Sequence, residues 1–220
     1  MAGMTRRLSR AEFLATYDLE DWQVLGRAAE AWFEAPTFSA AAAFVAVVAR
    51  EADDVDHHPD VELRYPGRVH VCITSHDAGG LTDRDGGLAR AISQRAAAAG
   101  LTAQPRASTR VEVVIGAVDI DRVVPFWAAV LGYRSDPAGG LVDPQGIGPA
   151  LRFEGRDAPT PVGFGRRLLV RVAADEAPGR IAAGVAAGGR VILEIPADAA
   201  WVLADPEGNE VGLGVGSEEE

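Results

Sequence analysis

Adjacent imidazoles at His57 and His58, a third at His76, and carboxylates at Asp53 and Asp85 have the types and spacing that suit proton transfer. Histidine titrates near neutrality, so one ring can give a proton to a departing group while another takes one up. A dehydration needs both steps, because hydroxide leaves only once protonated and the cation left behind must lose a proton. Three imidazoles also suit a metal ion. Adjacent residues rarely ligate one ion together, however, and no Cys-x-x-Cys or His-Glu-x-x-His spacing accompanies them, so the expectation is a site without metal. Plainer readings stand beside these. Thr82-x-x-Asp85 has the shape of a helix N-terminal capping box, Gly79-Gly80 reads equally as a simple turn, and His70, mid-strand, reads as a packing or surface residue.

The elements that carry these rings must fold back on one another. Pro36-Thr37 opens a helix predicted over 38–54, with Phe38, Ala41, Val45, Val48 and Ala52 as its apolar stripe. Segments 61–65 and 69–73 alternate with period two around Pro66-Gly67 and read as a hairpin. Strands at 22–25 and 28–33 precede them, and a second helix is expected over 83–99, stopped by Gly100. The order strand, strand, helix, strand, strand, helix implies an α+β fold: an antiparallel four-stranded sheet with helices on one face. His57 and His58 then lie on the loop into the first hairpin strand and His76 just beyond the second. A hairpin brings those two ends side by side, so the three rings converge.

With 220 residues, 48% apolar and 24% charged, the chain suits two domains of about 100 residues each. The expected division is a first domain at 1–100, a polar linker at 101–109, a second domain at 110–216 and a disordered acidic tail at 217–220. All four histidines fall in the first. The second reads as paired βαβββ units: strand 110–118, helix 121–131 and strands near 133, 140–142 and 150–154, then strand 168–172, helix 176–187 and strands 190–195, 200–204 and 210–213. A net charge of −11, with both halves acidic, argues against a nucleic-acid partner. No apolar run approaches the ~18 residues of a membrane helix, and no apolar stretch follows the first arginines as a secretory signal requires. The lone Cys72 suits a reducing cytoplasm. All 21 basic residues are arginine, which with abundant alanine and glycine reads as a GC-rich, bacterial genome.

Residues 57–65, beginning His57-His58-Pro59 and ending at Tyr65, then the block from Thr74 to Asp85, resemble the signature of the pterin-4a-carbinolamine dehydratases. An acid, Asp53, stands four residues before His57, and Tyr65 is the aromatic six residues after Pro59. The resemblance spans about 18–100. It implies an enzyme that dehydrates 4a-hydroxytetrahydropterin to quinonoid dihydropterin, with neither metal nor organic cofactor, and a homo-oligomer, dimer or tetramer. It places His57, His58 and His76 in the active site with Asp85 and Asp53 as their acids, and puts Pro59, Thr74, Ser75 and Asp77 beside the pterin. Two departures touch pocket shape: the Pro66-Gly67-Arg68 turn is one residue longer than usual, and Val61 replaces an aromatic. Gly86-Gly87 weakens the start of the second helix by about 1 kcal/mol per glycine.

The segment from Val118 to Tyr133 and the turn Asp205-Pro206-Glu207-Gly208-Asn209 resemble the vicinal oxygen chelate, or glyoxalase-like, superfamily over about 109–215. That resemblance implies four metal-ligand positions. Here they fall at Glu112, near Glu154, among Arg167-Leu168-Leu169 and at Gly212, so metal catalysis is not expected. Trp127 and Trp201 either line a metal-free pocket or belong to the core. Two rival functions remain: a non-catalytic dimerisation or binding protein, and an enzyme whose main activity lies in the second half.

Overall fold

The computed structural model describes residues 6–137, 139–158 and 167–215, and the chain forms two compact units, 1–110 and 111–220. The expected disordered tail at 217–220 lies outside the described residues.

The first unit runs α1 (Arg10–Tyr17), β1 (Gln23–Leu25), β2 (Ala28–Glu34), α2 (Phe38–Asp54), β3 (Asp60–Arg64), β4 (Arg68–Ile73), α3 (Asp83–Ala98) and β5 (Thr102–Ala103). The sheet is antiparallel in the order β1-β2-β4-β3. β5 makes it five-stranded, pairing with β2 at Phe33 and Glu34, beyond the stretch that β1 pairs. Alternation decides the layers. Ala29, Ala31, Phe33, Val69, Val71 and Ile73 face the helices and are buried with Phe13, Phe44, Val48, Leu88 and Ile92, each large apolar side chain contributing roughly 1.5–3 kcal/mol. Glu30, Trp32, His70, Cys72, Asp60 and Glu62 fall on the opposite parity and share the other face.

Two local features differ from the sequence expectation. Helix α1 was not expected, although Ser9 and Glu12 close a capping box around its start. The Tyr17 ring of α1 fills the space where a Cβ on Gly86 would stand, 2.4 Å from ring carbons, so glycine there is the condition for α1 to pack against α3. In α2, capped by Thr37, the buried stripe is Ala41, Phe44, Val48 and Ala52. Phe38 is 48% exposed and Val45 is half-buried; Phe44 takes the place expected of Val45, which rotates the stripe.

The second unit repeats one motif. β6 (Glu112–Ala117), α4 (Ile120–Leu131), β7 (Arg134–Ser135), β8 (Leu141–Val142) and β9 (Ala150–Gly155) form a sheet ordered β6-β9-β8-β7. β10 (Leu168–Val172), α5 (Ala177–Ala186), β11 (Arg190–Ile195), β12 (Ala200–Ala204) and β13 (Glu210–Val215) form a second, ordered β10-β13-β12-β11. In each the first and last strands are parallel neighbours, so the paired βαβββ reading holds in topology. The helices of the two repeats pack closely: a Cβ on Gly184 would lie 2.7 Å from Val130. Trp127 is core, its indole N–H donating to Asp205 at 3.0 Å, and Trp201 packs half-buried against the same cluster. No helix among the described residues is long and apolar enough to cross a membrane.

Candidate active site

Beyond α2 the chain reverses sharply. Asp56 takes a left-handed φ of 48° and the His57 amide donates to the Ala52 carbonyl at 3.1 Å. This reversal turns the His57 ring inward, leaving the residue 7% exposed. Its Nε2 lies 2.8 Å from Oδ1 of Asp85, which has no exposed surface. Asp85 is the third residue of α3, where the helix dipole favours a negative charge. Its other oxygen, Oδ2, accepts from the Thr82 amide at 2.7 Å, the Thr82 hydroxyl at 2.8 Å and the Ser75 hydroxyl at 2.7 Å. Oδ2 therefore closes the capping box while Oδ1 meets the His57 ring.

His58 Nε2 is 2.9 Å from Asp53 Oδ1, and both side chains are largely exposed. His76 is also exposed. It sits in a tight loop closed by reciprocal backbone bonds between Ser75 and Gly80, each 3.2 Å, and directly follows the serine that bonds Asp85. Pro59 is half-buried at the start of the hairpin. The three other side chains expected beside the pterin have protein partners. The Thr74 hydroxyl donates to the Arg27 carbonyl at 2.9 Å. Ser75 is 1% exposed and turned to Asp85. Asp77 accepts from Arg84 at 2.6 and 2.8 Å, and that guanidinium holds its carboxyl below the usual range.

Sequence reasoning missed the Ser75–Thr82–Asp85 network, the Arg84 partner of Asp77, and Tyr17, whose hydroxyl donates to Asp83 Oδ1 at 2.7 Å at the start of α3. The capping-box spacing pointed to Thr82; nothing in the sequence pointed to Ser75 as a partner of Asp85. His70 lies on the helix-free face of the sheet. It stacks on Trp32 with ring centroids 4.6 Å apart, and its nitrogens lie 3.4 Å from Glu30 and Glu62. Glu30 is buried and also takes the Arg110 guanidinium.

In the second unit the two carboxylates at expected ligand positions do not meet. Glu112 stands opposite Ala150, and Glu154 opposite Gly116, an offset of about 13 Å along the parallel pair. Glu112 accepts from Arg152 at 3.1 and 3.2 Å, so a guanidinium already neutralises it. Among the described residues, no group of three or more His, Cys, Asp or Glu side chains is arranged to hold a metal ion.

Comparison with known proteins agrees with this division. The sequence model described as pterin 4 alpha carbinolamine dehydratase matches residues 6–95, and that of the glyoxalase-like domain matches 112–213. A Chloroflexus aurantiacus protein whose name places it among the pterin-4-alpha-carbinolamine dehydratases is 43% identical over 89 residues, covering 40% of this chain and 95% of its own length. A similarly named protein of a Roseiflexus species is 41% identical over 92 residues, covering 41% and 98%. A solved structure of a transcriptional coactivator/pterin dehydratase from Brucella melitensis shares 32% identity with a TM-score of 0.39, covering 41% of this chain and 99% of its own. A glyoxalase/bleomycin resistance protein from Albidiferax ferrireducens shares 21% with a TM-score of 0.41, covering 50% and 100%. Through its first unit the chain belongs to the pterin-4-alpha-carbinolamine dehydratase family, and a glyoxalase-like domain follows it.

Proposed function

We propose that the first unit dehydrates a 4a-hydroxytetrahydropterin to the quinonoid dihydropterin and water, by imidazole acid–base catalysis without a metal. The carbon–oxygen bond at C4a breaks as one histidine protonates the leaving hydroxyl, which departs as water. The neighbouring ring nitrogen gives its proton to a second histidine, and the freed electron pair forms the new carbon–nitrogen double bond. Atoms and charge balance with no oxidant or reductant. The observation that carries the reading is the buried Asp85–His57 pair, with a second carboxylate–imidazole pair at Asp53 and His58. A carboxylate held against an imidazole fixes the orientation of the ring. Asp53 meets the His58 ring in the same way, in solvent. A cytoplasmic setting and a homo-oligomeric state belong to the same proposal, the second read by light scattering.

The test is a dehydration assay with freshly generated 4a-hydroxytetrahydropterin on the wild type and His76→Ala. The expected results are turnover by the wild type, unchanged after exhaustive chelation, and a loss of about 100-fold or more in the variant. Equal turnover by both would remove His76 from the mechanism. Activity lost on chelation and restored by zinc or iron would replace acid–base catalysis with a metal site.

A further inference from the structure

An ionised carboxylate only accepts hydrogen bonds. At Asp85, Oδ2 takes three donors, the Ser75 hydroxyl and the amide and hydroxyl of Thr82. The group at Oδ1 must then donate as well, and that group is His57 Nε2 at 2.8 Å. The ring proton of neutral His57 accordingly sits on Nε2 and the lone pair on Nδ1. The Thr82 hydroxyl has two tasks, donating to Asp85 while its oxygen caps α3 by accepting from the Arg84 amide at 3.2 Å. Ser75 has no second task of that kind: it is 1% exposed, and its hydroxyl lies between Asp85 and the Thr82 hydroxyl, 3.0 Å from the latter.

We propose that Ser75 is a positioning residue and not a substrate contact: its hydroxyl locks the Asp85 carboxylate, which holds the His57 ring with its proton on Nε2. The proposal rests on the dehydratase reading.

The full chain is assayed as wild type, Ser75→Ala and Ser75→Thr, and 15N-labelled histidine reports the His57 tautomer, assigned by difference from His57→Ala. The wild type should show His57 protonated at Nε2. Ser75→Ala should lower kcat about tenfold, the equivalent of one hydrogen bond to a charged group, with KM within twofold. Ser75→Thr, which keeps the hydroxyl, should restore kcat. A raised KM with unchanged kcat in Ser75→Ala would make Ser75 a substrate contact and overturn the proposal. So would a His57 proton found on Nδ1 in the wild type, which decides the matter even if Ser75→Ala fails to fold. If the wild type shows no dehydration at all, the dehydratase reading fails on its own, and the tautomer of Ser75→Ala against the wild type still decides whether Ser75 positions His57.

Discussion

Asp85 in the first unit and Asp205 in the second are both fully buried, and each accepts four hydrogen bonds. Burial of an unpaired carboxylate is costly, so each must be saturated. At Asp205 the donors are the Trp127 indole, the Asn209 side-chain amide and the backbone amides of Glu207 and Asn209, none of which exchanges protons with substrate near neutrality. At Asp85 one of the four is an imidazole. The difference shows how one device serves two ends. A carboxylate bonded only to fixed donors pins a turn, whereas one oxygen given to a histidine fixes a ring that, in the proposed reaction, carries a proton. Glu207 extends the structural use, accepting from the Val118 and Asp119 amides at 2.6 and 2.7 Å and so tying its turn to the start of α4.

The largest effect should come from removing the titrating partner. His57→Ala is expected to lower turnover about 100- to 10,000-fold, with about 1–3 kcal/mol of stability lost because the buried Asp85 carboxylate is left one donor short. Unchanged turnover would erase the distinction between the two aspartates. Asp205→Ala should do the reverse, leaving buried donors unsatisfied and lowering the stability of the second unit by about 3 kcal/mol. Denaturation followed by tryptophan fluorescence reads the loss, while dehydration should stay at the wild-type level. A parallel fall in turnover would mean that the glyoxalase-like unit takes part in the reaction. Asp85→Ala should show both signs at once: more than tenfold lower turnover, and about 3 kcal/mol less stability from the lost cap and the buried donors of Ser75 and Thr82 left unsatisfied.

A smaller effect concerns where the first unit ends. Burial alone would raise the Glu30 carboxyl, but His70 and Arg110 hold it below the usual carboxylate range. A lowered carboxyl stabilises the fold above the unfolded-state range, and that stability is lost as pH falls through the lowered value. A fragment ending at 105 lacks Arg110. It should be about 1–3 kcal/mol less stable near neutral pH than one ending at 110, with the gap closing in acid as Glu30 protonates. Urea titrations of the two fragments at several pH values measure this. The smallest effect should be His70→Ala, within a few fold of wild-type turnover, because that ring lies on the sheet face opposite the helices.

Much of this architecture was legible where hydrophobic period and length agreed. The strands 168–172, 190–195 and 200–204 coincide with β10, β11 and β12, because each is bounded by turn residues and follows a regular repeat. Helix α1 escaped notice because only Phe13 of its eight residues is buried, so it carries no stripe; the Ser9–Glu12 box was its one signal. Segment 101–109 reads as linker from its polar composition. Its backbone nevertheless bonds β2, with the Gln104 amide donating to the Trp32 carbonyl at 2.7 Å, a pairing that composition does not encode. The residue types of the site and their order were legible. The hydroxyl that orders Asp85 was not, since the direction of a serine side chain is set by the meeting of two elements far apart in sequence.

Cys72 lies on β4 opposite Glu30 on β2 and Asp60 on β3. Burial first, and the nearby Glu30 carboxylate after it, push its thiol up to about 12. Only the thiolate attacks a disulfide reagent, so the folded protein should be almost silent to such a reagent near neutral pH. As the chain has one cysteine, any slow modification would time the opening of β4 from its neighbours. The sheet of the first unit thus carries its own clock of local unfolding, readable without an introduced label.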